Sequence, residues 1–177
     1  INPYGKNKKT VENLLKSFFN ADNSWRIAIL RFFNPLGAHK CGLIGENSNE
    51  ISSNLMPYIL KVASGELEIL NIYGNDYNTP DGTGVRDYIH VVDLAHGHTA
   101  ALKTLIEKPQ FITVNLGTGI GYSVLDVVNS FEKVTNQKIN LDILPRREGD
   151  IAVSFADPSI AKKILNWEAR YNLDEMR

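Results

Sequence analysis

The sequence of 177 residues predicts an α/β fold, because two kinds of apolar pattern alternate along it. Short apolar runs rich in Ile, Leu, Val and Phe are typical of buried strands, and longer segments with apolar residues every three or four positions are typical of helices. Segments rich in Gly, Pro and Asn separate them, as turns do. No internal repeat or low-complexity tract interrupts the alternation, which is the pattern of α/β folds.

The first half of the chain predicts two helices and several extended segments. Asn2 as N-cap and Pro3 as first helical residue predict a helix that runs to Phe19. The apolar run 26–33 predicts a parallel strand that is buried on both faces. We then expect a long loop over 38–53, a helix capped by Asn54 over 55–63, a strand over 67–73, a long loop over 74–84 and an extended segment over 85–91.

The second half predicts three further helices and two strands. Asp93 is expected to cap a helix that carries Leu102 on its apolar side, and Ser123 to open a helix with Val134 facing inward. Asp157 and the following proline start the last helix. The two strands are expected at 111–116 and 139–144.

Composition excludes several classes of function. A net charge of −1 gives no electrostatic case for nucleic-acid binding, and no apolar run approaches the length of a membrane span. Cys41 is the single cysteine, so no internal disulfide forms, which fits a reducing, cytoplasmic setting. The chain begins on Ile1 inside a functional motif, and we expect a fragment of a longer protein.

Tyr4 and Lys8 form the most informative pair of residues. Residues four apart on a helix share a face, so a phenol and an ammonium can act on one substrate. A nearby positive charge favours the phenolate form of a tyrosine, which is the form that acts as a base. The same spacing also occurs by chance on many helices, so further motifs have to support a catalytic role.

Two other segments bear on ligand binding. Asn34 follows an apolar strand, and ligands of open α/β sheets bind at the carboxyl ends of strands. The segment 117–121 resembles a phosphate-binding glycine turn, but its third glycine is one position early and Tyr122 stands where the pattern needs glycine. The segment therefore departs from the dinucleotide-binding pattern at one of its three glycines.

Several motifs, in this order and spacing, resemble the UDP-glucose 4-epimerases, which belong to the extended short-chain dehydrogenase/reductases. The resemblance covers essentially the whole chain. It is carried by the Tyr-x-x-x-Lys motif and by the segments 31–39, 53–57, 73–77, 81–91, 115–119 and 146–150.

This resemblance implies an NAD(P)-binding, Rossmann-like doubly wound sheet, here partial, with a smaller α/β substrate-binding domain. Residues 1–36 and 89–118 are expected to belong to the NAD-binding domain, and 37–88 and 119–177 to the UDP-sugar-binding domain. The family's glycine-rich NAD-binding turn has no counterpart in this sequence, and the resemblance implies that 117–121 is a structural turn.

The resemblance also implies the chemistry. In such enzymes a tyrosinate takes the proton of the sugar 4-hydroxyl while hydride leaves C4 for NAD, and the resulting 4-keto sugar turns over and takes the hydride back on its other face. Tyr4 is then the base, and Lys8 activates it and anchors the cofactor ribose. Phe32 and Pro35 match positions beside the cofactor, where many relatives have Tyr in place of Phe32.

The remaining site residues are implied as UDP-sugar ligands. Arginine suits a pyrophosphate because its guanidinium binds phosphate oxygens in a bidentate way. Ser154 matches a position that is bulky in enzymes confined to UDP-glucose and UDP-galactose, so we hypothesise that N-acetylated sugars are also accepted. The expected substrate-binding set is Asn34, Asn54, Leu55, Asn71, Tyr73, Arg86, Arg147, Asp150 and Ser154, whereas Asp87 and His90 are expected to hold a loop.

Two alternatives stay open. The chain is either part of an epimerase or part of a related nucleotide-sugar dehydratase or decarboxylase, and by itself it is either active or an inactive UDP-sugar-binding module. Relatives pair through the tyrosine helix, so the apolar side chains Val11, Leu14 and Phe18 predict a homodimer or an ordinary core. The histidines and Cys41 give weak grounds for zinc, and no metal site is expected.

Overall fold

The computed structural model describes residues 3–46 and 54–176, which form helices and mainly parallel strands. The expected α/β class is therefore confirmed. The elements are α1 (Pro3–Ala21), β1 (Arg26–Phe32), β2 (Asn34–Leu36), α2 (Leu55–Ala63), β3 (Leu70–Tyr73), β4 (Val85–Arg86), β5 (Tyr88–His90), α3 (Val91–Glu107), β6 (Gln110–Leu116), β7 (Tyr122–Ser123), α4 (Val124–Thr135), β8 (Leu141–Leu144), β9 (Val153–Ser154), α5 (Ser159–Leu165) and a 3₁₀ helix (Leu173–Glu175).

The strands of the described residues pair into four small sheets. β1 pairs with β6 in parallel, from Arg26 opposite Gln110 to Phe32 opposite Leu116. β2 pairs with β5 and β3 with β8, both in parallel, and β4 lies between β7 and β9. Since β2 starts two residues after β1 ends, the carboxyl end of β1 leads directly into Asn34.

Two apolar clusters hold these elements together. The α2–α4 cluster joins α2, β3 and α4 to the C-terminal segment. Burial of apolar side chains is the main favourable term in folding, so these clusters fix the frame of the site. The buried members of the α2–α4 cluster are Leu36, Met56, Ile59, Leu70, Ile72, Tyr88, Val127, Val128, Phe131, Ile139, Leu173 and Met176.

The α3–α5 cluster lies under the β1–β6 sheet. Although α5 falls within the segment 119–177, its Ala161 and Leu165 pack in this cluster. The division into an NAD-binding and a UDP-sugar-binding domain stays a prediction, and the packing of α5 against α3 and β6 crosses the predicted boundary at residue 119. The buried members are Ile89, Leu94, Ala101, Ile112, Val114, Leu116, Ala161, Leu165 and Trp167.

The start of α3 differs from the prediction. His90, not Asp93, is the N-cap, and its Nδ1 accepts a hydrogen bond from the Val92 backbone N–H at 3.0 Å. Asp93 is buried in the first turn and accepts from the N–H groups of Arg170 and Tyr171. An acid in a first helical turn resembles a cap in sequence, and only the tertiary contact to the C-terminal segment separates the two roles.

The start of α4 confirms its prediction. Ser123 and Asp126 form a capping box: the serine Oγ accepts from the Asp126 N–H, and the Asp126 carboxylate accepts from the Ser123 N–H, both at 2.9 Å. Val134, expected to face inward, is exposed because it follows the last buried turn of the helix.

Other bounds and burial patterns also differ. β3 and β8 begin later than predicted, at Leu70 and Leu141, and β1 is only partly buried because it pairs with one strand among the described residues. Leu102 of α3 is exposed. Residues 38–46 contain no helix or strand, while 47–53 and the predicted cap Asn2 lie outside the described residues.

No helix within the described ranges has both the length and the apolar character needed to cross a bilayer.

Candidate active site

Tyr4 and Lys8 lie on one face of α1, as predicted. The Lys8 Nζ atom is 5.2 Å from the centre of the Tyr4 ring. The Tyr4 side chain is accessible to solvent, with 70% of its surface exposed, so a substrate hydroxyl can reach it. A phenol beside an ammonium is a suitable acid–base pair for moving a proton.

Two contacts fix α1 against the β1–β6 sheet. The Arg31 Nε donates to the Glu12 Oε1 at 2.7 Å, and this hydrogen bond holds the pKa of Glu12 below its ordinary value. The rings of Phe19 and Phe111 lie 5.7 Å apart. The helix that carries Tyr4 is therefore tied to the strand that ends at Phe32.

Phe32, Asn34 and Pro35 lie together at the end of β1 and in β2, and all three are exposed. The Asn34 N–H donates to the carbonyl oxygen of Asp87 at 3.0 Å, and Pro35 is opposite Ile89 in β5. The main chain is therefore fixed while the side chains of the three residues stay accessible.

Tyr73, Arg147 and Asp150 form a second cluster, which brings together three of the predicted substrate ligands. The guanidinium carbon of Arg147 is 4.6 Å from the centre of the Tyr73 ring, and its Nε lies 3.1 Å from the Asp150 Oδ2. Asn71 lies in the same strand as Tyr73, two residues earlier. An aromatic face, a guanidinium and a carboxylate provide stacking, phosphate-binding and hydroxyl-binding groups in one place.

Sequence reasoning gave no role to three neighbouring residues, Asp76, Tyr77 and Arg146, that support this cluster. The guanidinium of Arg146 is 4.2 Å from the Tyr77 ring centre, and its Nε donates to the Asp76 Oδ1 at 2.6 Å. Through these contacts, Arg146 ties the loop after β3 to the segment that follows β8, next to Arg147. Both partners lie in motif segments, 73–77 and 146–150, but their contact depends on the pairing of β3 with β8.

Arg86 and Ser154 form a third group. Arg86 in β4 is opposite Tyr122 of β7 on one side and Ser154 of β9 on the other. Directly opposite residues of paired strands point to the same face of a sheet, so these three side chains share a face. The Arg86 Nη1 donates to the carbonyl oxygen of Val85 at 2.8 Å.

Tyr88, two residues after Arg86, is a buried member of the α2–α4 cluster. Burial raises the pKa of Tyr88 to about 12, against the opposing effect of the Arg86 charge. Its phenol therefore stays neutral and acts as a core residue.

Asn54 and Leu55 lie at the start of α2. Asn54 is the N-cap residue of α2, as predicted, and is exposed, although its side chain makes no capping hydrogen bond. Leu55 is half-buried and packs against the α2–α4 cluster.

The glycine turn after β6 is structural, as expected. The backbone N–H groups of Thr118 and Gly119 both donate to the Asp87 carboxylate at 2.9 Å. These are the amides that a phosphate would need. Asp87 occupies them, so the turn holds a buried side chain.

Among residues 3–46 and 54–176, no three His, Cys, Asp or Glu side chains lie close enough together to hold a metal ion. The His39 Nδ1 accepts from the Cys41 backbone N–H at 3.3 Å, which is a local loop contact.

Comparison with known proteins shows the family to which the chain belongs. A family model described as "GDP-mannose 4,6 dehydratase" matches residues 1–177. The UDP-glucose 4-epimerase of Bacillus subtilis is 54% identical over 175 residues, which are 99% of this chain and 52% of that protein.

Two solved structures are similar in shape as well. UDP-glucose 4-epimerase from Stenotrophomonas maltophila, with bound NAD and formylated UDP-arabinopyranose, has a TM-score of 0.96 and 50% identity over 99% of this chain and 52% of that one. The enzyme from Bifidobacterium longum, in complex with NAD+ and UDP, has a TM-score of 0.94 and 53% identity over the same shares.

The chain thus spans about half the length of the curated relatives that it matches. It belongs to the family of that GDP-mannose 4,6 dehydratase model and is a homologue of the UDP-glucose 4-epimerases.

Proposed function

We propose that this chain supplies the catalytic base and the UDP-sugar pocket of an NAD-dependent UDP-glucose 4-epimerase. The observation that carries the proposal is its similarity, over almost its whole length, to proteins of that name. The pairing of Tyr4 with Lys8 on an accessible helix face supports it, because that pair matches the proton chemistry of the reaction.

The residues near the Tyr4 helix fit the nicotinamide end of NAD. Phe32 and Pro35 present exposed apolar surface at the end of β1, which α1 packs against, and Lys8 adds a cation for a ribose hydroxyl. When bound, NAD supplies the hydride acceptor for C4 of the sugar. We assign cofactor contacts to Tyr4, Lys8, Phe32 and Pro35.

In this proposal the chain's own residues handle the proton and the substrate. Tyr4 takes the proton from the 4-hydroxyl and later returns it to the 4-keto sugar, and the Lys8 ammonium stabilises the phenolate between the two events. Tyr73 stacks on the uracil and Asp150 binds the uridine ribose. Arg86 and Arg147 bind the diphosphate.

The other assignments concern the sugar and the edges of the pocket. Asn34, Asn54, Leu55 and Asn71 complete the UDP-sugar contacts. Ser154, a small side chain beside Arg86, leaves room for a 2-acetamido group, so we propose that UDP-GlcNAc and UDP-GalNAc are substrates as well.

We further propose a cytoplasmic homodimer that serves galactose metabolism and pairs through α1. Val11, Leu14 and Phe18 of that helix are 53%, 52% and 47% exposed, although they are apolar. A second copy that covers them removes this surface from water.

The test is conversion of UDP-galactose to UDP-glucose with added NAD, measured on the 177-residue chain and on the full natural protein that carries it. We expect activity in the full protein and none in the chain alone, because hydride chemistry needs a cofactor held in place. Absence of conversion in both contradicts the epimerase.

The family model's description favours one second candidate, a nucleotide-sugar dehydratase. Mass spectrometry of the product distinguishes the two. An epimerase leaves the mass of the nucleotide sugar unchanged, whereas a dehydratase gives a product that has lost one water.

A further inference from the structure

The Asp87 carboxylate accepts four hydrogen bonds from other residues of the chain. The residue is fully buried. Its Oδ1 accepts from the Thr118 N–H at 2.9 Å and from the Thr118 hydroxyl at 2.7 Å. Its Oδ2 accepts from the N–H groups of Gly119 at 2.9 Å and Ala156 at 3.1 Å. Three of the four donors are main-chain groups, so this side chain fixes backbone.

The Asp87 main chain makes two further links. Its N–H donates to the carbonyl oxygen of Ser154 at 3.1 Å, and its carbonyl oxygen accepts from the Asn34 N–H at 3.0 Å. Arg86 is its neighbour in sequence. Asp87 therefore contacts or adjoins three of the residues proposed to bind the UDP-sugar, each on a different strand.

The space around the carboxylate is closed. A Cβ atom added to Gly117 would lie 2.7 Å from the Asp87 Oδ2 and 2.5 Å from the Ala156 Cβ. Both contacts are too short for a side chain, so only glycine lets the turn after β6 approach the acid this closely. The space between Gly117 and Ala156 therefore fits the Asp87 carboxylate closely.

We propose that Asp87 is a positioning residue that fixes Asn34, Arg86 and Ser154 relative to one another by joining β2, β4 and β9 to the turn 117–119. The inference rests on the proposed function, because it concerns residues assigned there to the UDP-sugar. Because its side chain is fully buried, we assign Asp87 no contact with the substrate.

The physical reason lies in the donors. A carboxylate offers acceptor oxygens to all four of them, whereas an amide in the same place has one oxygen and one NH₂ group. In one orientation the NH₂ group faces the backbone N–H groups of Gly119 and Ala156, and in the other it faces the Thr118 N–H and hydroxyl. At least one backbone donor then loses its acceptor, and a buried donor left without a partner is costly. Movement of β9 or of the turn away from the amide relieves this cost and shifts Ser154 against Arg86.

The experiment compares Asp87→Asn with Asp93→Asn in the full natural protein. Asp93 is a matched control because it is equally buried and also accepts two backbone N–H groups, but it ties α3 to the segment 170–171. The readouts are the KM for UDP-galactose, the Kd of UDP by calorimetry and the melting temperature.

We expect Asp87→Asn to raise both the KM and the UDP Kd about tenfold, since small displacements of positioning groups have large effects. Asp93→Asn is expected to leave the UDP Kd unchanged and to lower the melting temperature only slightly, because both of its backbone donors bond to Oδ2 and one amide oxygen can accept from both. A folded Asp87→Asn protein with unchanged KM and Kd overturns the proposal, as does an equal rise in both variants. Loss of stability alone reduces the active fraction but leaves the KM of the remaining enzyme unaltered.

Thr118→Val provides the second variant, because it removes one donor and keeps the carboxylate. We expect a rise in the UDP Kd of about threefold. If Asp87→Asn does not fold, this variant decides: a rise supports the positioning role and an unchanged Kd overturns it. If the wild-type protein neither binds UDP nor converts UDP-galactose, the proposed function has failed, which is a separate result.

Discussion

At the residue scale, accessibility separates the candidate base from the other tyrosines. Tyr4 is exposed beside Lys8, whereas Tyr88 is buried with its pKa raised to about 12 and Tyr77 lies under Arg146. Only the first can both meet a substrate and share a face with an ammonium. Tyr4 therefore stays the tyrosine that we propose for proton transfer.

Tyr4→Phe removes the phenol oxygen and little else. We expect kcat for UDP-galactose in the full natural protein to fall by about a hundredfold to ten-thousandfold, the usual contribution of general acid–base catalysis. The UDP Kd should stay unchanged, since the proposed UDP contacts lie elsewhere. Tyr58→Phe, a half-buried residue of α2, is the control and should retain activity. An active Tyr4→Phe enzyme contradicts the assignment.

Ser154→Tyr tests the breadth of the sugar site. A phenol ring beside Arg86 fills the room that an acetamido group needs, so turnover of UDP-GalNAc should be lost while that of UDP-galactose persists. Rates for the two substrates, measured side by side on wild type and variant, check this. Loss of both activities, or of neither, counts against a role of Ser154 in selectivity.

At the element scale, the first turn of α3 depends on an imidazole. The His90 Nδ1 accepts from the Val92 N–H, and the ring stacks on Tyr171 with centroids 4.1 Å apart. A protonated ring cannot accept that hydrogen bond. Burial lowers the pKa of His90 below its ordinary value, with Asp93 and Glu175 opposing the shift and His39 adding to it.

The stability should therefore depend on pH. Because the folded-state pKa of His90 is lowered, the unfolded chain takes up the proton first as pH falls below about 6.5, and stability present above that pH is lost. His90→Asn keeps a capping acceptor but does not titrate. We expect its melting temperature to fall less than that of the wild type when the pH is lowered from about 7.5 to about 5.5.

His98→Asn is the matched control for this experiment. His98 is an exposed residue of the same helix, and its Nδ1 lies 2.9 Å from the carbonyl oxygen of Leu94. The variant should keep the wild-type dependence on pH. A His90→Asn protein with the wild-type dependence would show that other groups titrate with folding.

At the scale of the whole molecule, α1 stands out because none of its described residues is buried. Its apolar side chains Val11, Leu14 and Phe18 are about half exposed, and Phe18 stacks on the exposed Trp25 with ring centroids 6.3 Å apart. Of the two alternatives for this face, a core within the described residues does not hold. The dimer stays a proposal.

Val11→Asp places a charge in the middle of this face. We expect the full natural protein to change from dimer to monomer, because a carboxylate buried without a partner costs several kcal/mol, on the order of the stability of a small interface. Sedimentation velocity at micromolar concentration measures the change. Lys9→Asp, on another side of the same helix, is the control and should remain dimeric. A monomeric wild type contradicts the dimer.

Local sequence determined much of the fold. The Ser123 and Asp126 spacing defines the start of α4, and the apolar run 26–33 identifies β1 almost to its last residue. The four-residue spacing of Tyr4 and Lys8 places them on one helix face. These features depend on contacts between residues near in sequence, which periodicity and capping rules describe.

Only the tertiary structure decided how distant segments meet. Asp93 looks like a helix cap in sequence, but its carboxylate binds backbone more than seventy residues away, and His90 takes the cap. The grouping of Tyr73 with Arg147, and of Arg86 with Ser154, comes from the pairing of β3 with β8 and β4 with β9. The apolar pattern of a sequence predicts which face of each helix or strand is apolar. Which faces meet is settled by burial of the two apolar clusters and by buried polar groups such as Asp87, which must find their partners across the fold.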